Sequence, residues 1–438
     1  MNLKFSPATL MFSSRLAALF GGALLTFVIP LGLSRQEQGY FFLFNSVIAF
    51  QMFFEMGMGQ VIVQAIASEM DSDYSRTYKP EEKKFHINEN ITSIIKFLNK
   101  WFLCSSFMFF CTVSVFGILY FGYQNLITKG YLNVWILYTF VTSINMYLSH
   151  KLMVLEGFNE ISLASRIRTS ASFFGYLCAI ILILTGFHLW SLLCVPFFNC
   201  IAILFGITIA NAKFYFVSMT SQNAQSEFSW REQFLPFQIR ISVSWMAGYF
   251  SGIGSLPVLF KFVDTTVVGA YGLTLAILNA IVQLSISLMQ SSLPQITNAV
   301  ASKSSCALKI FHNRVKKVFM IYLAMILFIC SVMLIIDFVN IDFRSRLLDS
   351  FDMAIVFVNG FFICLNFCFA AFVRSFRSEP FYAVSLLGAL INLVSIVFLT
   401  PYSFTFYLMA VLLSNSLIGF PVIYYYYKLK VKELGLEL

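Results

Sequence analysis

Residues 309–337, KIFHNRVKKVFMIYLAMILFICSVMLIID, decide how the rest of the chain is read. Lys309, Arg314, Lys316 and Lys317 crowd the start, and Val318 to Ile336 then runs without a charge. A helix rises about 1.5 Å per residue, so roughly 20 apolar residues cross the ~30 Å hydrocarbon core of a bilayer. Runs of this kind recur at 12–33, 40–66, 98–121, 131–155, 170–187, 189–210, 239–260, 268–295, 318–337, 353–373, 381–399 and 403–427. The fifth and sixth are separated only by Thr185, Gly186 and Phe187. Composition agrees: 59% of the 438 residues are hydrophobic, 11% are charged and mean hydropathy is +0.81. An average soluble domain is roughly 25% charged. With so few charges to cover so much apolar surface, the chain reads as an all-α polytopic membrane protein with about twelve transmembrane helices. Six spans fall in 1–210 and six in 239–438, joined by a cytoplasmic linker at 211–238.

Basic residues sort by side of the membrane. With the N-terminus inside, the cytoplasmic breaks hold clusters such as Arg76 to Lys84, Lys303 to Lys317 and Lys428 to Lys432. The opposite side receives only Arg35, Lys129, Lys261, Arg344 and Arg346. A wrong helix count would swap the later breaks and destroy this asymmetry, so both termini are expected in the cytoplasm. The net charge of +9 then records orientation and not a nucleic-acid surface. Lys4 and Arg15 precede the first apolar run as in a signal peptide, but Ile29-Pro30-Leu31-Gly32-Leu33-Ser34 lacks a small-x-small cleavage pattern, which makes the run an uncleaved first helix. Tyr424 to Tyr427 before Lys428 read as an interfacial aromatic anchor.

Several chemistries are excluded at this level. The nine cysteines lie almost all inside apolar runs without metal spacing and read as small buried hydrophobes. The four histidines are scattered, so no metal site is expected. No GxxxxGK[ST] loop is present, so the chain does not itself hydrolyse nucleotide, and no cofactor is expected. Outer breaks are short, which leaves no room for an external catalytic domain.

Glu55 is the sharpest polar signal inside a span, four residues after Gln51 and therefore on the same helix face. An ionised carboxylate against lipid is costly, so the group must face protein or water or carry a proton. It is either a cavity acid that binds a coupling proton or cation, or a lock between two helices. Arg15, Arg240 and Arg374 each lie near the inner end of a span. They are either inside-positive anchors or guanidinium forks for phosphate oxygens. Lys261, at the outer end of its span, breaks the inside-positive pattern. Asn279, Gln283, Ser287 and Gln290, at spacings of four, four and three, form a polar stripe that suits sugar hydroxyls in a wet cavity or hydrogen bonds between helices. Faint echoes between the halves, such as Arg15 and Pro30 against Arg240 and Pro257, permit a parallel duplication.

The stretch Trp230 to Gly272, WREQFLPFQIRISVSWMAGYFSGIGSLPVLFKFVDTTVVGAYG, resembles the start of the second half of Wzx-type O-antigen flippases. These belong to the multidrug/oligosaccharidyl-lipid/polysaccharide exporter (MOP) superfamily. Gly39-Tyr40-Phe41-Phe42, then Phe53-Phe54-Glu55-Met56-Gly57, and the Glu156-Gly157 break are similar to further segments of that family, with Met58 where the family has Leu. The resemblance implies two six-helix bundles around a central cavity in the bacterial inner membrane. The implied cargo is an undecaprenyl-pyrophosphate-linked oligosaccharide, moved between leaflets by alternating access. It further implies a cationic cavity with Arg15, Arg240, Lys261 and Arg374 on matching helices, contact with membrane lipid, and an O-antigen polymerase and chain-length regulator as partners. A multidrug or cation exporter of the same superfamily, which would favour an acidic cavity, and a membrane glycosyltransferase or polymerase are the alternatives.

Overall fold

The structure, a computed structural model, describes residues 7–59, 62–63, 66, 89–158, 160–209, 235–301, 306–338, 343–376 and 380–433. Among the described residues there is no strand. The first span is α1 (Pro7–Gly32), and the second is divided into α2 (Arg35–Ile48) and α3 (Gln51–Glu55). Then follow α4 (Glu89–Phe121), the short α5 (Tyr123–Thr128), α6 (Leu132–Gly157), α7 (Ile161–Leu184) and, after a 3-10 turn at His188–Leu193, α8 (Cys194–Ile209). The later helices are α9 (Leu235–Ser251), α10 (Ser255–Leu259), α11 (Thr265–Ala301), α12 (Cys306–Phe338), α13 (Ser350–Arg374), α14 (Tyr382–Leu399), α15 (Phe404–Leu413) and α16 (Phe420–Glu433). A π-helical turn at Ser414–Gly419 joins the last two.

Each apolar run read from the sequence carries helix, and eight helices among the described residues are long and apolar enough by themselves to cross a membrane. Their outer faces identify the solvent. On α12, Met320, Leu323, Leu327, Phe328, Leu334 and Ile335 are all exposed, and only 17% of its most apolar stretch is buried. An exposed apolar face of that extent is stable only in lipid. The chain is an all-helical, multi-pass membrane protein.

Its contacts define two compact units, each discontinuous: Met1–Val28 with Val47–Trp245, and Ile29–Ser46 with Met246–Leu438. This differs from a division by chain order because α2 is built into the second unit. Small residues bring α2 and α11 into backbone contact. A Cβ on Gly269 would lie 2.8 Å from the Gly39 nitrogen, and one on Gly272 would lie 2.6 Å from Phe42 Cβ. Gln38 Nε2 donates to the Gly269 carbonyl at 2.9 Å, and the Tyr249 hydroxyl to the Ser46 carbonyl at 2.9 Å.

In the first unit, polar rungs tie α4 to α6. The Ser143 hydroxyl donates to the Ser106 carbonyl at 3.0 Å, the Ser114 and Thr139 hydroxyls meet at 2.8 Å, and Trp135 Nε1 donates to the Ser114 carbonyl at 3.3 Å. His150, fully buried, stacks on Phe102 and meets Asn99 Oδ1 at 2.8 Å. The narrow separation of the fifth and sixth spans is a true hairpin, turned at Gly186 with φ of 85°. That left-handed conformation is easily reached only by glycine.

Two sequence expectations change. Cys104, Cys111 and Cys330 are exposed along their helices and not buried, because lipid, unlike water, accepts a thiol at little cost. The tyrosine run is not a single belt. Tyr425 is exposed, but Tyr427 is buried among Phe311, Phe369 and Phe372, with its hydroxyl 3.2 Å from His312 Nε2. Successive residues turn by about 100° on a helix, so four consecutive tyrosines cannot share one face.

Candidate functional site

In the first unit the functional candidate is a helix break. α3 ends at Glu55, Met56 takes the left-handed conformation (φ 48°, ψ 39°), and Gly57 follows at φ 65°. A non-glycine residue in that region is disfavoured and persists where its surroundings impose it. Two hydrogen bonds hold Met56 there: its N–H donates to the Met52 carbonyl at 3.1 Å, and the hydroxyl of Ser242 on α9 donates to its carbonyl at 2.8 Å. Around the break, Phe50 stacks on Phe53 at 4.2 Å and Phe54 meets Phe109 edge-on at 5.6 Å. Glu55 is half-buried and, among the described residues, its carboxylate has neither a hydrogen bond nor an ion pair. A helix end leaves carbonyl oxygens without intrahelical donors. A carboxylate beside such oxygens can hold a proton, a metal cation or an amine.

In the second unit the candidate is the polar stripe of α11. At about 100° per residue, Asn279, Gln283, Ser287 and Gln290 fall within an arc of roughly 80°. Asn279 and Gln283 are exposed and make no hydrogen bond among the described residues, while the Ser287 hydroxyl bonds only to its own helix, at Leu284 O. Behind them Leu278, Ile281, Val282 and Met289 are buried. The stripe runs further than the sequence reading carried it: Ser291 and Gln295 continue the four-residue spacing and are also exposed. That spacing was visible in the sequence, but exposure was not. Unbonded carboxamides on a membrane helix face water or a polar cargo, because lipid cannot satisfy them.

The cationic candidates divide. Arg15 and Arg240 lie on α1 and α9, and their side chains fall outside the described residues. Lys261 is exposed, four residues before α11 begins. Arg374 is exposed at the far end of α13, with its guanidinium 5.7 Å from the Phe381 ring centre. Thr266 near the start of α11 and Asp352 near the start of α13 line one cavity, so the two helices begin at the same end of the unit. α13 has 25 residues, which places Arg374 on the order of 35 Å from that end. The structure therefore does not bring Lys261 and Arg374 together, and no single pyrophosphate can touch both. At the Glu156-Gly157 break, Glu156 is held by an ion pair from Arg168. No group of metal-ligating residues occurs among the described residues.

No protein-family model matches the sequence, and no curated protein matches it. Solved structures do share its fold. An inward-facing multidrug resistance MATE family transporter of the MOP superfamily superposes with a TM-score of 0.66 at 12% identity, over 97% of this chain and 99% of that one. A MOP superfamily transporter from Pyrococcus furiosus, whose binding pocket is described as having reversed polarity that suggests a different function, gives 0.56 at 12% identity over 99% and 98%. The MATE transporter VcmN of Vibrio cholerae gives 0.54 at 13% identity over 98% and 97%. At these identities the likeness is one of architecture: the chain has the fold of MOP-superfamily transporters.

Proposed function

We propose that the protein is a flippase that moves an undecaprenyl-pyrophosphate-linked oligosaccharide from the cytoplasmic to the periplasmic leaflet of the bacterial inner membrane, by alternating access and with both termini in the cytoplasm. The observation that carries this reading is the polar stripe Asn279, Gln283, Ser287 and Gln290, exposed at Asn279 and Gln283 and half-buried at Ser287 and Gln290. It is uncharged and rich in both donors and acceptors, the chemistry that sugar hydroxyls require. The physical task is to pass a pyrophosphate and several sugars through about 30 Å of hydrocarbon, and a polar path removes most of that cost. Arg15 and Arg240 are the phosphate-binding candidates, with Lys261 and Arg374 serving separate steps at opposite ends of the second unit. With no nucleotide-binding loop, direction comes from an ion gradient acting at Glu55 or from consumption of the product outside, where a polymerase and a chain-length regulator would act.

A second reading has its own support. The Glu55 carboxylate, without a partner among the described residues, favours a cation, and two of the solved structures with this fold are named as multidrug or MATE transporters. Export of organic cations in place of glycolipid follows from that pairing. An enzymatic reading has no such observation behind it.

The deciding experiment deletes the gene and restores it with wild-type or Asn279→Leu/Gln283→Leu protein. A flippase predicts loss of surface polysaccharide, with lipid-linked repeats trapped in the inner leaflet, and no rescue by the double variant. Unchanged polysaccharide with raised sensitivity to cationic drugs would replace it with the exporter reading.

A further inference from the structure

The second unit carries a half-open cavity of about 320 Å³, lined by Arg35, Gln38, Thr266, Arg346, Asp349 and Asp352 among others. It lies where α2, α11, α13 and α15 begin, helices of 14, 37, 25 and 10 residues. Helix N-termini present positive dipole ends and free backbone N–H groups, so this arrangement favours an anion.

Two buried groups on its wall point independently to a ligand. Gln38 is 2% exposed, and its Nε2 is committed to the carbonyls of Gly269 at 2.9 Å and Arg346 at 3.0 Å. Those bonds fix which way the carboxamide faces and leave Oε1 buried without a donor. Nη1 of Arg346 is likewise buried without an acceptor. Buried polar groups are ordinarily paired, so one wall asks for an acceptor and the other for a donor. Asp352 Oδ1 already accepts the Thr405 hydroxyl at 2.7 Å, while Asp349 stands at the head of α13 without capping it.

The charge pattern gives the same direction. Only Arg35, Lys129, Lys261, Arg344 and Arg346 fall on the side that the basic-residue bias assigns to the outside, and two of these five line this one cavity. Placing cations there opposes the bias that orients the chain. At roughly 30 Å³ for each water in the liquid, the space equals about ten waters, the size of a small phosphorylated group.

We propose that this cavity binds an oxyanion that carries its own hydrogen-bond donor: a phosphate with a neighbouring ammonium or hydroxyl group. The phosphate oxygens meet Arg346, Arg35 and the helix N-termini. The donor meets Gln38 Oε1 and Asp349. Two sources supply this chemistry, a phosphoethanolamine lipid headgroup and a phosphorylated sugar.

Calorimetric titration of the purified full-length protein with O-phosphoethanolamine, with a hexose 1-phosphate and with inorganic phosphate tests it, separately from any transport assay. Saturable binding of phosphoethanolamine or the hexose phosphate, at least tenfold tighter than inorganic phosphate, is expected, and the tighter of the two names the source. Arg346→Gln should weaken that binding at least tenfold with an unchanged melting temperature. Asp349→Asn should weaken it while leaving inorganic phosphate unaffected, and it decides the matter alone if Arg346→Gln does not fold. Absence of saturable binding, equal affinity for inorganic phosphate, or indifference to the substitutions overturns the proposal. Because the readout is binding to one unit, it can fail while the flippase reading stands, and the reverse.

Discussion

The Ser242 hydroxyl on α9 donates a 2.8 Å hydrogen bond to the carbonyl of Met56, the residue that breaks the second span immediately after Glu55. A side chain 186 positions away thereby holds an otherwise disfavoured backbone conformation at the acidic residue. Ser242→Ala removes the donor and should cost about 0.5–1.5 kcal/mol. Thermal unfolding in detergent measures it. The control is Ser291→Ala, whose hydroxyl is bonded only within its own helix, at Leu288 O, and which should stay within about 0.5 kcal/mol of wild type.

Glu55→Gln keeps the shape and deletes the charge. Since no hydrogen bond or ion pair to a described residue is lost, the melting temperature should hold or rise, while transport falls at least tenfold. A destabilisation above about 1 kcal/mol would instead identify Glu55 as a structural lock, the size expected for a lost internal hydrogen bond.

Gly269 and Gly39 mark a close approach of α2 to α11. Gly269→Ala places a Cβ 2.8 Å from a backbone nitrogen, which cannot rotate away, so the helices must separate. A loss of about 1–3 kcal/mol is expected, seen as reduced monodisperse yield and a lower melting temperature. Gly388→Ala on α14 meets nothing within 4 Å and should be neutral or stabilising, because alanine is the better helix former.

Asn279→Leu and Gln283→Leu remove exposed carboxamides that hold nothing within the described residues. Folding and membrane insertion should survive intact, with cargo movement lost. If the melting temperature falls while transport persists, the stripe serves helix association.

The spans were legible residue by residue because the cost of placing a charge or an open peptide group in hydrocarbon is local. The Val318 to Ile336 run, the Gly186 turn and the four-residue spacing of the α11 stripe needed no knowledge of distant partners. Tyr427 shows the limit. Its sequence neighbours are three tyrosines and a lysine, yet its environment is set by Phe311 and Phe372, which arrive from two other helices.

Sequence alone thus determined that the chain is helical, crosses a membrane many times and carries an acid and a polar stripe within its spans, since hydrophobic length and side-chain spacing are properties of one segment at a time. Only the tertiary structure decided that α2 belongs with the second unit, that Met56 is bent under Ser242, that Lys261 and Arg374 stand apart, and that Arg35, Gln38 and Arg346 meet around one cavity. Each of these depends on segments separated by tens to hundreds of residues coming into register, and close packing of that kind leaves no periodic trace in the segments themselves.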